Sequence, residues 1–111
     1  RGVMPNVVSC NAAISACEKG AQWRLALCLL GSMPSLGLVP DVISWNSAIS
    51  ACEKGREWQR AVSLLCSLLA SRSISPSVVS INAAISACEK GGEWEFAIAL
   101  FSSMPELAVS P

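Results

Sequence analysis

The segment Ile-Ser-Ala-Cys-Glu-Lys-Gly occurs three times in this chain, at residues 14–20, 49–55 and 85–91, offset by 35 and then 36 residues. A period of that length marks a solenoid: one small unit cannot bury its apolar face alone and stacks on copies of itself. The register runs well past the seven residues. Asn11, Asn46 and Asn82 align, as do Trp23, Trp58 and Trp94, and Ala26, Ala61 and Ala97. The chain's three lysines, Lys19, Lys54 and Lys90, share one column. Function in such a chain is read column by column.

Inside a unit the apolar period is helical. Val7, Cys10, Ile14 and Cys17 fall at i, i+3, i+7 and i+10, one stripe along a first helix. Ala13 and Ala16 flank it with small side chains that admit a close neighbour. Gly20, Gly55 and Gly91 end the first helices, each with a lysine in the last turn that suits the helix dipole. A second helix carries Trp23, Ala26, Leu27, Leu29, Leu30 and Met33. Pro34 and Pro105 stop it, whereas the second unit reads Ser67-Leu68-Leu69 there. A short loop ending in proline follows, then Asp41 or Ser77, good N-caps for the next helix, as Asn6 is for the first. The expected organisation is all-α: residues 1–6 close a preceding unit, and units span 7–41, 42–77 and 78–111, the last truncated. The extra residue of the second unit is expected within 67–76.

The composition narrows the function classes. Hydrophobic residues make up 52%, yet no run of roughly 18 apolar residues exists, so no membrane span is expected. An internal stretch of a longer array, without polar capping units, accounts for the excess. Net charge is zero, which gives no overall electrostatic footprint for nucleic acid and leaves only a local strip. The six cysteines include no Cys-x-x-Cys, and there is no histidine, so no zinc site is expected. Cys17, Cys52 and Cys88 share a column one helix layer apart, roughly 8–10 Å, beyond disulfide reach. They read as reduced structural thiols. With no histidine, no tyrosine and a single aspartate, catalysis has no candidate machinery. Glu18, Glu53 and Glu89 read as solvated helix-end carboxylates. No enzyme, cofactor, metal or small-molecule substrate is expected.

The remaining face of the first helix carries Val8, Asn11, Ser15 and Glu18, repeated as Ile43, Asn46, Ser50, Glu53 and as Val79, Asn82, Ser86, Glu89. Asparagine one turn into a helix is poor for propensity, so its recurrence needs a reason. Either each amide bonds a loop or neighbouring helix and fixes unit geometry, or the aligned amides face a ligand. An amide offers both donor and acceptor, which suits a nucleobase edge.

The run Val-Val-Ser-Cys-Asn-Ala-Ala-Ile-Ser-Ala-Cys-Glu-Lys-Gly, followed by Trp-x-x-Ala-x-x-Leu-x-x-x-Met and Gly-x-x-Pro-Asp, resembles a pentatricopeptide repeat over essentially the whole chain. The resemblance implies a right-handed α-solenoid of stacked helix-turn-helix hairpins, about three repeats, binding single-stranded RNA at one base per unit. In that family the fifth residue of the first helix and the last residue of the unit together select the base. Asn11 with Asp41 then implies uracil, and Asn46 with Ser77 a pyrimidine, chiefly cytosine. Asn82 has its partner beyond Pro111, and Asn6 holds the last position of the preceding unit. Val8, Ile43 and Val79 inherit the place that packs between bases. Lys19, Lys54 and Lys90 are candidates for phosphate contact, with solvated helix-end lysine as the other account. The family further implies organelle RNA processing or stability, in mitochondrion or chloroplast. The alternative is a helical-repeat scaffold with a protein partner in its groove. Variation at Asp41 and Ser77, with Asn11 and Asn46 unchanged, favours RNA.

Overall fold

The computed structural model describes residues 6–70 and 77–103. Six α-helices form three hairpins: α1 (Val7–Lys19) with α2 (Trp23–Ser32), α3 (Val42–Lys54) with α4 (Trp58–Ala70), and α5 (Val78–Lys90) with α6 (Trp94–Ser103). No strand occurs among the described residues. The expected α-solenoid of stacked hairpins is what the chain forms.

Local chemistry sets both ends of every first helix. Asn6, Asp41 and Ser77 are extended N-caps whose side chains accept from the backbone N–H of Ser9, Ser44 and Ser80. Asn6 and Asp41 complete a reciprocal capping box with Ser9 and Ser44. At the other end the carbonyls of Cys17, Cys52 and Cys88 accept from Gln22, Glu57 and Glu93 N–H, five residues on. With the bonds of Ala21, Arg56 and Gly92 to Glu18, Glu53 and Glu89, three residues back, this is the Schellman arrangement. The left-handed residue it demands is not the conspicuous glycine: Gly20, Gly55 and Gly91 have φ of −91°, −84° and −85°. It is the next one, Ala21 at +56°, Arg56 at +60° and Gly92 at +77°. Only the third unit places glycine there. Arg56→Gly is therefore expected to stabilise the fold by about 1 kcal/mol, the cost of an L-residue in that region, seen as a rise in melting temperature. An unchanged or lower melting temperature would contradict it.

The first helices pack in series, α1 on α3 on α5; α2 and α4 each pack on their own first helix and on that of the next unit, and α6 packs on α5. No Cα of α2 comes within 8 Å of α4, nor of α4 with α6. The layer of first helices is thus the tighter, inner one. Alanine makes this approach available: Ala48, Ala51, Ala84 and Ala87 are completely buried. The core lies between hairpins. Cys10, Ile14, Ala26, Leu30 and Met33 close on Ala48 and Ala51. Ile49, Cys52, Ala61, Leu65 and Leu68 close on Ile81, Ala84 and Ala87. Cys52 and Cys88 are buried where Cys17 is half-buried. Burial pushes the Cys52 thiol up to about 11 and raises that of Cys88, which suppresses the reactive thiolate.

Helix α2 ends before Pro34, which starts a short 3-10 turn over Pro34–Leu36. Without that proline α4 runs on to Ala70, so residues 67–70 of the segment expected to hold the extra residue are helical. Residues 71–76 and Pro105 lie outside the described residues.

Trp23 and Trp58 each join two units. A Cβ built on Gly55 would lie 2.4 Å from Cδ1 of Trp23, and one on Gly91 2.4 Å from Cδ1 of Trp58. The next second helix supplies the other contact: the Arg60 guanidinium sits 4.8 Å from the Trp23 ring centroid, and the Phe96 ring 5.6 Å from that of Trp58. Gly55 and Gly91 are thus required by close approach of an indole, not by backbone conformation.

Candidate functional site

The stack brings the asparagine column of one unit against the helix start of the next. The Asn11 Nδ2 donates to Asp41 Oδ1 at 3.0 Å, and the Ser44 hydroxyl donates to Asn11 Oδ1. One unit later the Asn46 Nδ2 donates to Ser77 Oγ at 3.2 Å, and the Ser80 hydroxyl donates to Asn46 Oδ1. The residues paired from the sequence, Asn11 with Asp41 and Asn46 with Ser77, are therefore in direct contact. Of the two explanations left open, bonding to a neighbouring helix is realised, and it leaves room for the other. An amide has two N–H donors and two acceptor sites; these contacts use one of each. Asn82, with no hairpin packed beyond it among the described residues, is exposed, and so is Asn6 at the α1 cap.

Asp41 is held as a carboxylate. Partial burial raises its proton affinity, but hydrogen bonds from the Ser44 N–H and the Asn11 amide outweigh it and hold the carboxyl below its ordinary value. The anion also lies at the N-terminus of α3, where the helix dipole favours it.

Beside the amides stand apolar side chains with no core to enter. Val8, Ile43 and Val79, each the second residue of its helix, are 76%, 56% and 57% exposed. Three solvated aliphatic groups in one column form a stripe along the layer of first helices. The stripe is what an aromatic ligand face would cover.

The charged columns depart from expectation. Glu18 and Glu53 are not solvated helix-end carboxylates: Lys54 binds Glu18, and Lys90 binds Glu53, each pair spanning two units. Their carboxylate side chains are only 20% and 16% exposed, and Ser86 donates a further hydrogen bond to Glu53 at 3.1 Å. The contact with Glu18 raises the Lys54 pKa. The ladder has a simple origin. Glutamate and lysine adjoin in every unit, so stacked copies bring each lysine onto the preceding glutamate.

Sequence reasoning passed over Ser44 and Ser80, which have zero exposure and contact the preceding amide. Their signal was present as a serine at the third position of every first helix, including Ser9. No group of three or more metal-ligating side chains occurs among the described residues, and no described helix is long and apolar enough to cross a membrane.

Residues 5–54 match the PPR repeat family, and residues 43–72 and 79–109 each match the PPR repeat. The chain is similar to the crystal structure of the pentatricopeptide repeat protein PPR10 from maize, with a TM-score of 0.90 and 31% identity. That match covers 100% of this chain and 16% of the maize protein. No curated protein sequence matches the chain.

Proposed function

Because the chain belongs to the pentatricopeptide repeat family, we propose that it is part of a modular single-stranded RNA-binding protein that reads one base per unit. The observation that carries this reading is the paired column: an amide held at both ends with a donor and an acceptor to spare, beside an exposed aliphatic side chain. The bases lie splayed between Val8, Ile43 and Val79, with Asn11, Asn46 and Asn82 at their edges. Asp41 and Ser77 tune the selection, towards uracil at Asn11 and a pyrimidine at Asn46, and Asn6 does so for the unit before. Lys19 meets phosphate, as do Lys54 and Lys90 with the ammonium donors that their one carboxylate leaves over. The reading extends to organelle transcripts, in mitochondrion or chloroplast, as the family implies.

Material for the test must be the full-length protein. Stacking and edge contacts contribute roughly 1–3 kcal/mol per base, and only two complete pairs exist here, so residues 1–111 alone are expected to bind RNA too weakly to measure. Fluorescence anisotropy on short RNAs, varying the base opposite Asn11 and Asp41, should show uracil favoured and affinity falling steeply with salt. Asp41→Asn keeps a good N-cap and is expected to shift the preference at that base alone. A uniform loss over all bases would make Asp41 a cap only. No binding to any RNA at low salt would move the assignment to a protein-binding scaffold.

A further inference from the structure

We propose that Glu18 and Glu53 attenuate the phosphate attraction of the lysine column, so that RNA is held mainly through its bases. The inference rests on the RNA-binding reading above. Glu18 follows Asn11 by seven residues, and Glu53 follows Asn46 by seven, two turns along the same helix face. Each carboxylate therefore stands in line with a reading amide, about 10 Å along the helix axis. The stack then lays the next unit's lysine across it, Lys54 on Glu18 and Lys90 on Glu53.

Depth distinguishes the two partners. The carboxylate side chains are 20% and 16% exposed, and the lysines that bind them 42% and 38%. The lysine is the outer group, with the anion beneath it. Glu53 is also held by the Ser86 hydroxyl at 3.1 Å, so the carboxylate stays in place when a ligand draws the ammonium away. A phosphate that reaches Lys90 either meets an ammonium already offset by the anion behind it, or leaves that anion with a hydroxyl alone. Both outcomes reduce the gain from the contact.

Joining two units is the other role open to such a pair, and the two roles predict opposite signs. If the pair only staples hairpins, losing the carboxylate costs stability and, through a loosened stack, RNA affinity. If the pair withholds charge, losing the carboxylate raises affinity, because the freed ammonium neutralises a phosphate and releases its counterion. That rise is uniform. Phosphate contacts carry no sequence information, so the ratio of affinities between bases is untouched.

The test is Glu53→Gln in the full-length protein, by anisotropy on short single-stranded RNAs over a range of salt. Glutamine keeps the length and an oxygen that accepts from Ser86 but carries no charge. Affinity is expected to rise about fivefold, the effect of one unit charge at roughly 4 Å in water. The slope of log affinity against log salt should steepen by about 0.7, one more phosphate neutralised on a single strand. Preference between bases opposite Asn46 should be unchanged. Glu18→Gln should give the same result one layer earlier, and serves if the first variant unfolds. Glu95→Gln, at an exposed site on α6, changes the net charge equally and should raise affinity far less. Binding no tighter than wild type in both Glu53→Gln and Glu18→Gln, or an equal gain from Glu95→Gln, overturns this inference alone. A wild-type protein that binds no RNA at low salt overturns the RNA-reading assignment and this inference with it.

Discussion

Gly55→Ala is expected to destabilise the stack by about 2 kcal/mol, the scale of an overpacked core site. The φ of −84° at Gly55 suits alanine, so the cost arises in the contact. A methyl group there would meet Cδ1 of Trp23 at 2.4 Å and Cγ and Nε1 at 3.2 Å. The indole has little room to retreat, with the guanidinium groups of Arg24 and Arg60 at 5.0 and 4.8 Å from its centroid. Gly91→Ala should match it through Trp58. Gly20→Ala is the control. Its Cβ would meet nothing nearer than the Ala16 carbonyl at 3.6 Å, so the change should stay within about 0.5 kcal/mol. Urea denaturation of the three variants measures this, and equal losses at Gly20 and Gly55 would remove the tryptophan seat as the reason. A double variant, Trp23→Ala with Gly55→Ala, should be little worse than Trp23→Ala alone, since the clash needs both partners. The contact matters beyond stability, because the Trp23–Gly55 seat and the Asn11–Asp41 pair span the same boundary between units.

Asn46→Ala is the second large change, and it should act on folding and binding together. It removes two hydrogen bonds, from Asn46 Nδ2 to Ser77 Oγ and from the buried Ser80 hydroxyl to Asn46 Oδ1, and leaves the two serine hydroxyls, 3.1 Å apart, to each other. The two bonds together contribute about 1–3 kcal/mol. On the RNA-reading proposal the same substitution also removes an edge contact to RNA of comparable size, about 1–3 kcal/mol. Ile43→Ser separates the two effects. That side chain is 56% exposed, so stability should hold within about 0.5 kcal/mol while RNA affinity falls several-fold. Denaturation melts beside anisotropy on one RNA decide the matter. An Asn46→Ala protein as stable as wild type would show that the amide does not hold the units together. An Ile43→Ser protein that binds as wild type would free the aliphatic stripe from any part in recognition.

Much of this molecule is determined by short-range chemistry, and that portion was legible in the sequence. The helix starts at Asn6, Asp41 and Ser77 and the Cys10–Ile14 stripe depend on residues within about one or two turns. The sequence also marks where the first helices end, although the left-handed residue there is Ala21, Arg56 or Gly92 rather than the glycine before it. The repeat then makes a stack the only way to bury the stripes. The columns of Asn11, Val8 and Lys19 were equally visible, but not what they touch. Every decisive contact joins residues one unit apart: Asn11 to Asp41 and Ser44, Glu18 to Lys54, Glu53 to Lys90, Trp23 to Gly55. A period states that columns recur; it does not state by how much one copy is displaced and rotated on the next. That offset is set by alanine-lined helices closing until indole meets glycine backbone. The tertiary packing therefore decided that the glutamate–lysine column is a ladder of ion pairs, and that two buried serines bond the asparagine amides of the preceding unit.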